Sequence, residues 1–271
     1  MDAWEFPCVK GGFVKILTPK HHGFAIIPGY TDKGMRPLWA MKEESMEFRH
    51  EYKFQISPLD RQILLSRLRP LGLEDPHAQG GEYQVCSLYF DDLQDTALRQ
   101  KLDGVEDRDK FRLRYYNGDL SFIRLEKKSK RGGLCQKRSA RLTQGQAEAI
   151  LAGRAAALQQ SKDPLLTEFY TRLCAGLRPA ALTAYRREPF VYAPGNVRIT
   201  IDRDIRTGVY ARCLDAAQAA LVPAAAPDDM DALVLEVKYD AFLPDLIRQA
   251  IHLDGRPWTA FSKYAQCRRF G

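Results

Sequence analysis

Between Lys110 and Arg141 the chain reads KFRLRYYNGDLSFIRLEKKSKRGGLCQKRSAR, and no other stretch constrains the fold as much. Side chains of a β-strand alternate between the two faces with a period of two. One parity holds Lys110, Arg112 and Arg114, then Arg124, Glu126 and Lys128. The other holds Phe111, Leu113, Tyr115, Ile123 and Leu125. With the apolar set turned to a core, the charged set faces either bulk solvent or a wet cavity. Which of the two it is decides the function.

Asn117-Gly118 and Gly132-Gly133 are strong hairpin signals. A two-residue turn at the first would set Arg112 opposite Ile123 and mix the faces. Keeping Arg112, Arg114 and Arg124 on one side predicts an odd, three-residue connection with Gly118 at positive φ. After Gly132-Gly133, Lys137, Ser139 and Arg141 continue the charged row.

The pattern recurs elsewhere. Arg49, Glu51 and Lys53 alternate with Phe48, His50, Tyr52 and Phe54; Arg198, Thr200 and Asp202 alternate with Val197, Ile199 and Ile201. Glu236, Lys238 and Asp240 alternate with Leu235, Val237 and Tyr239. An ordinary antiparallel sheet with one solvated face explains any single strand of this kind. Repetition weakens that explanation, because here Arg and Lys dominate and the glutamates are isolated at Glu51, Glu126 and Glu236.

Further strands are expected at Glu47–Ile56, Tyr83–Phe90, Leu182–Tyr192, Asn196–Asp202, Ile205–Tyr210 and Leu233–Asp240. Ser57 as N-cap and Pro58 at the first helical position open a helix through about Arg69. Other helices are expected around Ala97 and Leu98, at Gln144–Ala157, Pro164–Leu177, Pro244–His252 and Phe261–Arg269, with a loop at Ala216–Asp229. Strands outnumber helices and come in hairpins, so the class is α+β with a closed or strongly curved sheet. Residues 1–45 show no sustained period. They read as a loosely ordered extension or a start-site artefact, since Met41 and Met46 both precede the first clear strand; residues 46–271 form the domain.

A net charge of +7 asks for an anionic partner. The six cysteines are scattered without CxxC spacing, as reduced thiols of a cytoplasmic protein would be. No HxxxH or HExxH pattern offers a histidine-built metal site. No apolar run approaches the ~18 residues that span a membrane, and no signal-peptide pattern opens the chain. Walker-type loops, zinc-finger spacing and RNP-like aromatics are missing too, which argues against nucleic acid. Dry, unpaired cations cannot line a cavity, because desolvating each costs several kcal/mol. The lumen must hold water or a polyanion. Arg matches phosphate oxygens bidentately and Lys acts as a mobile point charge, while sparse glutamates suit a hard divalent cation. Together these point to metal-dependent phosphate chemistry.

RHEYKF at 49–54, SLYFDD at 87–92, FRLRYY at 111–116, IRLEKKSK at 123–130, YRREPF at 185–190, VRITID at 197–202, VLEVKYD at 234–240 and FSKY at 261–264 resemble the vacuolar transporter chaperone (VTC) polyphosphate polymerase domain of the triphosphate tunnel metalloenzyme, or CYTH-like, superfamily. The resemblance spans roughly residues 46–270. It implies an eight-stranded antiparallel β-barrel tunnel with a charged lumen and helices outside. It also implies transfer of the γ-phosphate of ATP onto polyphosphate with Mn²⁺ or Mg²⁺. By motif position Lys53, Arg112, Arg114, Lys128, Lys137, Arg187, Arg198 and Lys238 become phosphate ligands, Glu236 the metal ligand, and Lys263 a cation reaching in from outside the barrel wall. Arg49 and Arg124 join the phosphate set by parity, and Glu51 and Glu126 join Glu236 as metal ligands. Arg112, Arg114, Lys263 and Glu236 are the expected catalytic group.

Two departures matter. The triphosphatase branch carries ExExK in its first strand; here Arg49 replaces the first carboxylate, which favours the VTC branch. A basic residue is expected one helical turn before Lys263, where this chain has Ala260. The SPX domain and transmembrane helices of the eukaryotic complex are not in this sequence, so any membrane coupling would run through a separate protein at the inner face of the membrane. A tunnel-fold triphosphatase, a non-catalytic polyphosphate sensor and a nucleic-acid-binding barrel remain alternatives. Chain growth, orthophosphate release, binding without turnover and salt-steep nucleic-acid binding distinguish them.

Overall fold

In the computed structural model, residues 49–73, 75–132, 134–209, 213–216, 219–224 and 233–270 are described, and all belong to one compact unit, Glu44–Gly271. The expected extension at 1–45 lies outside them. The strands are β1 His50–Ile56, β2 Tyr83–Asp91, β3 Arg108–Tyr116, β4 Asp119–Arg131, β5 Leu134–Leu142, β6 Arg178–Tyr192, β7 Val197–Val209, the two-residue β8 Val222–Pro223, and β9 Leu233–Tyr239. The helices are α1 Pro58–Leu68, α2 Thr96–Leu102, α3 Gln144–Leu151, α4 Pro164–Cys174, α5 Asp245–Ala250 and α6 Lys263–Phe270.

Eight strands hydrogen-bond antiparallel in the order β1-β9-β7-β6-β2-β3-β4-β5, with β8 pairing beside β7. The sheet is curled into a half-barrel. In a flat sheet β1 and β4 would lie about 29 Å apart at ~4.8 Å per strand. Here the Lys128 ammonium of β4 is 3.0 Å from the Glu51 carboxylate of β1. The class is the one the strand pattern indicated and the eight-strand count the one the resemblance implied; the two segments expected at Asn196–Asp202 and Ile205–Tyr210 are one continuous strand, β7.

Apolar parity fixes the convex face. Leu88, Phe90, Phe111, Leu113, Ile123, Leu125 and Leu142 pack under α3 and α4, on Ala147, Ile150, Leu165, Leu166 and Phe169. Ile199, Ile201, Leu235 and Val237 pack under α1 and α5, on Leu64, Leu65, Leu68 and Ile247. Helix α1 starts where the sequence placed it: Asp60 N donates to Ser57 Oγ at 3.2 Å, and Ser57 N donates back to the Asp60 carboxylate at 2.8 Å. This reciprocal cap satisfies two otherwise orphan amides.

The Asn117-Gly118 turn corrects the expected odd loop. Tyr116 pairs with Asp119, so the turn has two residues, with φ of 51° at Asn117 and 72° at Gly118. Positive φ at both positions suits a hairpin of the right twist. The odd offset appears instead as a register shift between Arg114 and Tyr116, beyond which Arg114 pairs with Arg124 and Arg112 with Glu126. Face parity is kept as expected, by a bulge rather than by the turn.

Phe169 of α4 meets the rings of Phe90 and Phe111 at centroid distances of 5.0 and 5.4 Å and is fully buried. Phe169→Ala is expected to lower unfolding free energy by about 3–5 kcal/mol. Urea denaturation followed by circular dichroism checks this; a loss under about 1 kcal/mol would mean α4 is not integral to the core.

Candidate active site

The concave face gathers charge from seven strands and one helix. On β3, Arg112 Nε donates to the Glu126 carboxylate at 2.7 Å and its Nη1 to the Tyr89 hydroxyl at 3.1 Å. Lys137 of β5 reaches the other Glu126 oxygen at 2.5 Å. Arg114 donates to Ser87 Oγ at 3.0 Å and to the Tyr185 hydroxyl at 3.2 Å, with Glu126 no nearer than 3.9 Å. It is therefore a buried guanidinium whose close partners are neutral. Across the cavity, Glu51 faces Lys53 at 3.1 Å and Lys128 at 3.0 Å. Glu236 holds Lys238 at 2.6 Å. Asp202, fully buried, takes a bidentate pair from Arg187 at 2.6 and 2.8 Å and the Lys263 ammonium at 2.5 Å. Lys53, Arg112, Arg114, Lys128, Lys137, Arg187, Lys238 and Lys263 outnumber Glu51, Glu126, Asp202 and Glu236 two to one.

Strand register sharpens the imbalance. Arg108 lies opposite Lys130, Lys110 opposite Lys128 and Arg114 opposite Arg124. Arg124 in turn lies opposite Arg141, Lys128 opposite Lys137, and Arg198 opposite Lys238. Like charges facing each other across strands destabilise a sheet, and the carboxylates among these rows offset this only in part.

Protonation follows the same field. Burial pushes the Glu126 carboxyl up, but Arg112, Arg114 and Lys137 outweigh it and hold it well below the usual range. Glu236 is likewise lowered against its burial, by Lys238 and Lys53 first. Burial draws the Lys53 ammonium down, and Glu236 and Glu51 more than reverse it. The Tyr89 phenol is lowered although buried, because Arg112 and Arg114 stand beside it. Lys110 makes no ion pair among the described residues. Burial, then repulsion from Lys101, Arg108, Lys128 and Lys53, pulls its pKa from 10.5 to about 7.

Of the residues singled out in the sequence, Lys53, Arg112, Arg114, Lys128, Lys137, Arg187, Lys238, Lys263, Glu51, Glu126 and Glu236 converge. Three sit apart. Arg49 pairs with Asp240 at 2.8 Å, Arg198 with Asp75 at 3.0 Å and the Tyr83 hydroxyl at 3.3 Å, and Arg124 lies over the Phe122 ring. Lys263 does not reach in from outside the wall. Its side chain is buried among Asp202 and Tyr185, the latter ring 4.7 Å away. Asp202, Tyr89, Tyr185 and Ser87 belong to the site but were not chosen from sequence; Asp202 had signalled itself by sharing parity with Arg198 and Thr200.

Among the described residues no group of three or more His, Cys, Asp and Glu could enclose a metal ion. A phosphate-bridged divalent cation needs less, one or two carboxylates with substrate oxygens. Glu236 and Glu51 suit that, for the Lys238 ammonium contacts both. Beside Glu236 in register, the buried Thr200 hydroxyl has no hydrogen-bond partner among the described residues. Glu126 is already enclosed by Arg112, Arg114 and Lys137.

The VTC domain family matches residues 48–270 of the chain. No curated protein matches it. Among solved structures, HpAC1 from Hippeastrum, described as having a dominant triphosphatase activity, is 13% identical, with 83% of this chain and 96% of that chain aligned at a TM-score of 0.47. PH1819 from Pyrococcus horikoshii is 12% identical, with 75% and 84% aligned at a TM-score of 0.37. Both are too distant to bear on what this chain does.

Lys110 makes a pH prediction. Its folded pKa of about 7 lies below its ordinary 10.5, so the unfolded chain binds more protons between these values. Stability from this group therefore rises with pH through that window. An anion bound beside it raises the pKa back. Binding of inorganic tripolyphosphate is thus expected to take up protons at pH 8 and to weaken as pH rises. Titration calorimetry in two buffers of different ionisation enthalpy measures the uptake, and Lys110→Met should reduce it, with Lys137 and Lys238, also lowered by burial, supplying the remainder. Equal heats in both buffers for the unaltered protein would refute the assignment.

Proposed function

We propose that this chain, which belongs to the VTC domain family, is a divalent-metal-dependent phosphotransferase that moves the γ-phosphate of ATP onto a polyphosphate chain. The observation that carries this reading is the cationic concave face, with like-signed pairs opposed across β3, β4 and β5 around the buried Arg114. A single phosphate would leave most of these charges unneutralised, whereas a triphosphate and a polymeric phosphate acceptor together match their number and spread.

Arg112 and Arg114 are placed to grip the transferring phosphoryl group edge-on, through N–H groups that Glu126, Ser87, Tyr89 and Tyr185 pre-orient. Lys263 and Arg187 share Asp202 as counter-ion, so both can turn toward phosphate without becoming unpaired buried charges. A terminal phosphate oxygen of the acceptor attacks Pγ. The bond from Pγ to the β,γ-bridging oxygen breaks, and ADP leaves. The attacking oxygen is already ionised, so no general base is required, and positioning with charge stabilisation carries the catalysis. A Mn²⁺ or Mg²⁺ ion held by Glu236 and Glu51 would supply further neutralisation of the triphosphate oxygens. Use of ATP places the reaction in the cytoplasm, with any coupling to a membrane through a separate partner; among the described residues no helix is long and apolar enough to cross one.

Incubation with ATP and Mn²⁺, with products resolved on a gel that separates long polyphosphate from orthophosphate, tests the proposal. Chain growth supports it. Orthophosphate alone would make the protein a triphosphatase, and tight binding without turnover would make it a sensor. Arg114→Ala is expected to lower kcat by ~10²-fold, about 3 kcal/mol of transition-state stabilisation. Glu236→Gln is expected to lower metal-dependent turnover comparably; full turnover would remove Glu236 from the metal assignment.

A further inference from the structure

The two ends of the charged trough differ in chemistry. Along β4 the inward row runs Lys130, Lys128, Glu126, Arg124, Phe122, in steps of about 7 Å. At the Lys130 end stand Arg108 and Lys110 in cross-strand register, with Lys101 of α2 close enough to depress Lys110. That end presents ammonium and guanidinium charge with one ring, Tyr264, 5.4 Å from Lys110.

The Phe122 end is built otherwise. The half-buried Phe122 ring carries two guanidinium groups, Arg124 with its central carbon 4.9 Å from the ring centroid and Arg141 at 5.3 Å. The two arginines are cross-strand neighbours on β4 and β5, and both are exposed. Neither has a carboxylate partner among the described residues: Arg124 contacts only Phe122, and Arg141 adds one long hydrogen bond to the Ser121 carbonyl oxygen at 3.4 Å. Arg112 and Arg187 also lie over rings, Tyr89 at 5.8 Å and Tyr185 at 5.4 Å, but their N–H edges are taken by carboxylates, whereas Arg124 and Arg141 have the ring alone to seat them. Seating on a ring leaves a guanidinium's opposite face open, and such a face stacks on a nucleobase. Phosphate recognition uses the N–H edges instead.

We propose that Phe122, Arg124 and Arg141 form the nucleoside subsite, taking the planar base of the donor nucleotide while its triphosphate runs toward Arg114, Arg112 and Glu126. This rests on the phosphotransfer reading above and adds a direction to it. The donor enters past the Phe122 end, and the phosphate polymer lies along the Lys110, Lys128 and Lys130 end, which has no comparable ring-and-guanidinium platform.

Calorimetry with two probes, adenylyl imidodiphosphate and inorganic tripolyphosphate, each with Mn²⁺, tests the subsite. Phe122→Leu, which keeps apolar bulk without a ring and removes no charge, is expected to weaken the nucleotide analogue by roughly tenfold. Tripolyphosphate should stay within about twofold of its affinity for the unaltered protein, which also shows that the variants fold. Phe122→Trp, retaining a ring, should keep nucleotide affinity. Equal weakening of both probes, or no change in either, overturns the subsite and leaves the phosphotransfer reading standing. Failure of the unaltered protein to bind either probe overturns both.

Discussion

Repulsion among cations held on one face of a curled sheet is the constraint to which the rest of this structure answers. Burying a charge without a partner costs several kcal/mol, and Arg112, Arg114 and Arg187 are all taken largely out of water. Four carboxylates make this tolerable. Glu126 serves Arg112 and Lys137, Asp202 serves Arg187 and Lys263, and Glu51 and Glu236 serve the lysines of β1, β4 and β9. Sharing each anion between two or more cations keeps the site folded yet leaves it net positive. In the proposed reading a polyanion would complete a network that is already oriented, the condition under which electrostatic stabilisation of a transition state is most effective.

Supporting such a face requires that every apolar side chain of the strands go the other way. The two convex cores do this, one under α3 and α4 and the other under α1 and α5. Helix α6 is different, since it packs into the trough. Tyr264 donates to Asp91 at 2.6 Å, and the same carboxylate accepts from the amides of Ala97 and Leu98 at the start of α2. One buried aspartate thereby ties β2, α2 and α6 together. The residue preceding Tyr264 is Lys263, so this tie fixes how deeply that ammonium enters the cavity.

Parity was legible in the sequence because it needs only the strand period and one assumption about which side is dry. Phe111, Leu113, Tyr115, Ile123 and Leu125 all lie on the buried side, and of the twelve charged residues that converge the sequence pattern points to all but Asp202. Partners were not legible. Nothing in the spacing of Asp202 says that it meets Arg187 across one register step and Lys263 across sixty residues. Hydroxyl groups of Tyr89 and Tyr185 looked like ordinary strand aromatics until the arginines they accept from were in place. The odd offset after Arg114 was inferred correctly as a necessity but assigned to the turn. Asn117 and Gly118 favour a tight turn of their own, and a one-residue slip would have driven Arg112 and Arg114 into the core, so the backbone absorbs the difference in a bulge.

The four carboxylates are not interchangeable, and their partners separate them. Glu126 and Asp202 each sit between two close cations from different strands or from a strand and a helix, as counter-ions that hold arginines edge-on. Glu51 and Glu236 instead stand together across β1 and β9, with the Lys238 ammonium touching both and Lys53 beside them. In the proposed metal-dependent reading this pair would hold the divalent ion, with the Thr200 hydroxyl beside Glu236, which lacks a hydrogen-bond partner among the described residues, as a further hard oxygen. Lys238, which balances both carboxylates, would in that reading turn toward phosphate as a ligand. The same turn is open to Lys263 at Asp202. Charges that stabilise the fold without ligand are thus the ones best placed to bind it, which accounts for a site so cationic surviving as part of a folded sheet.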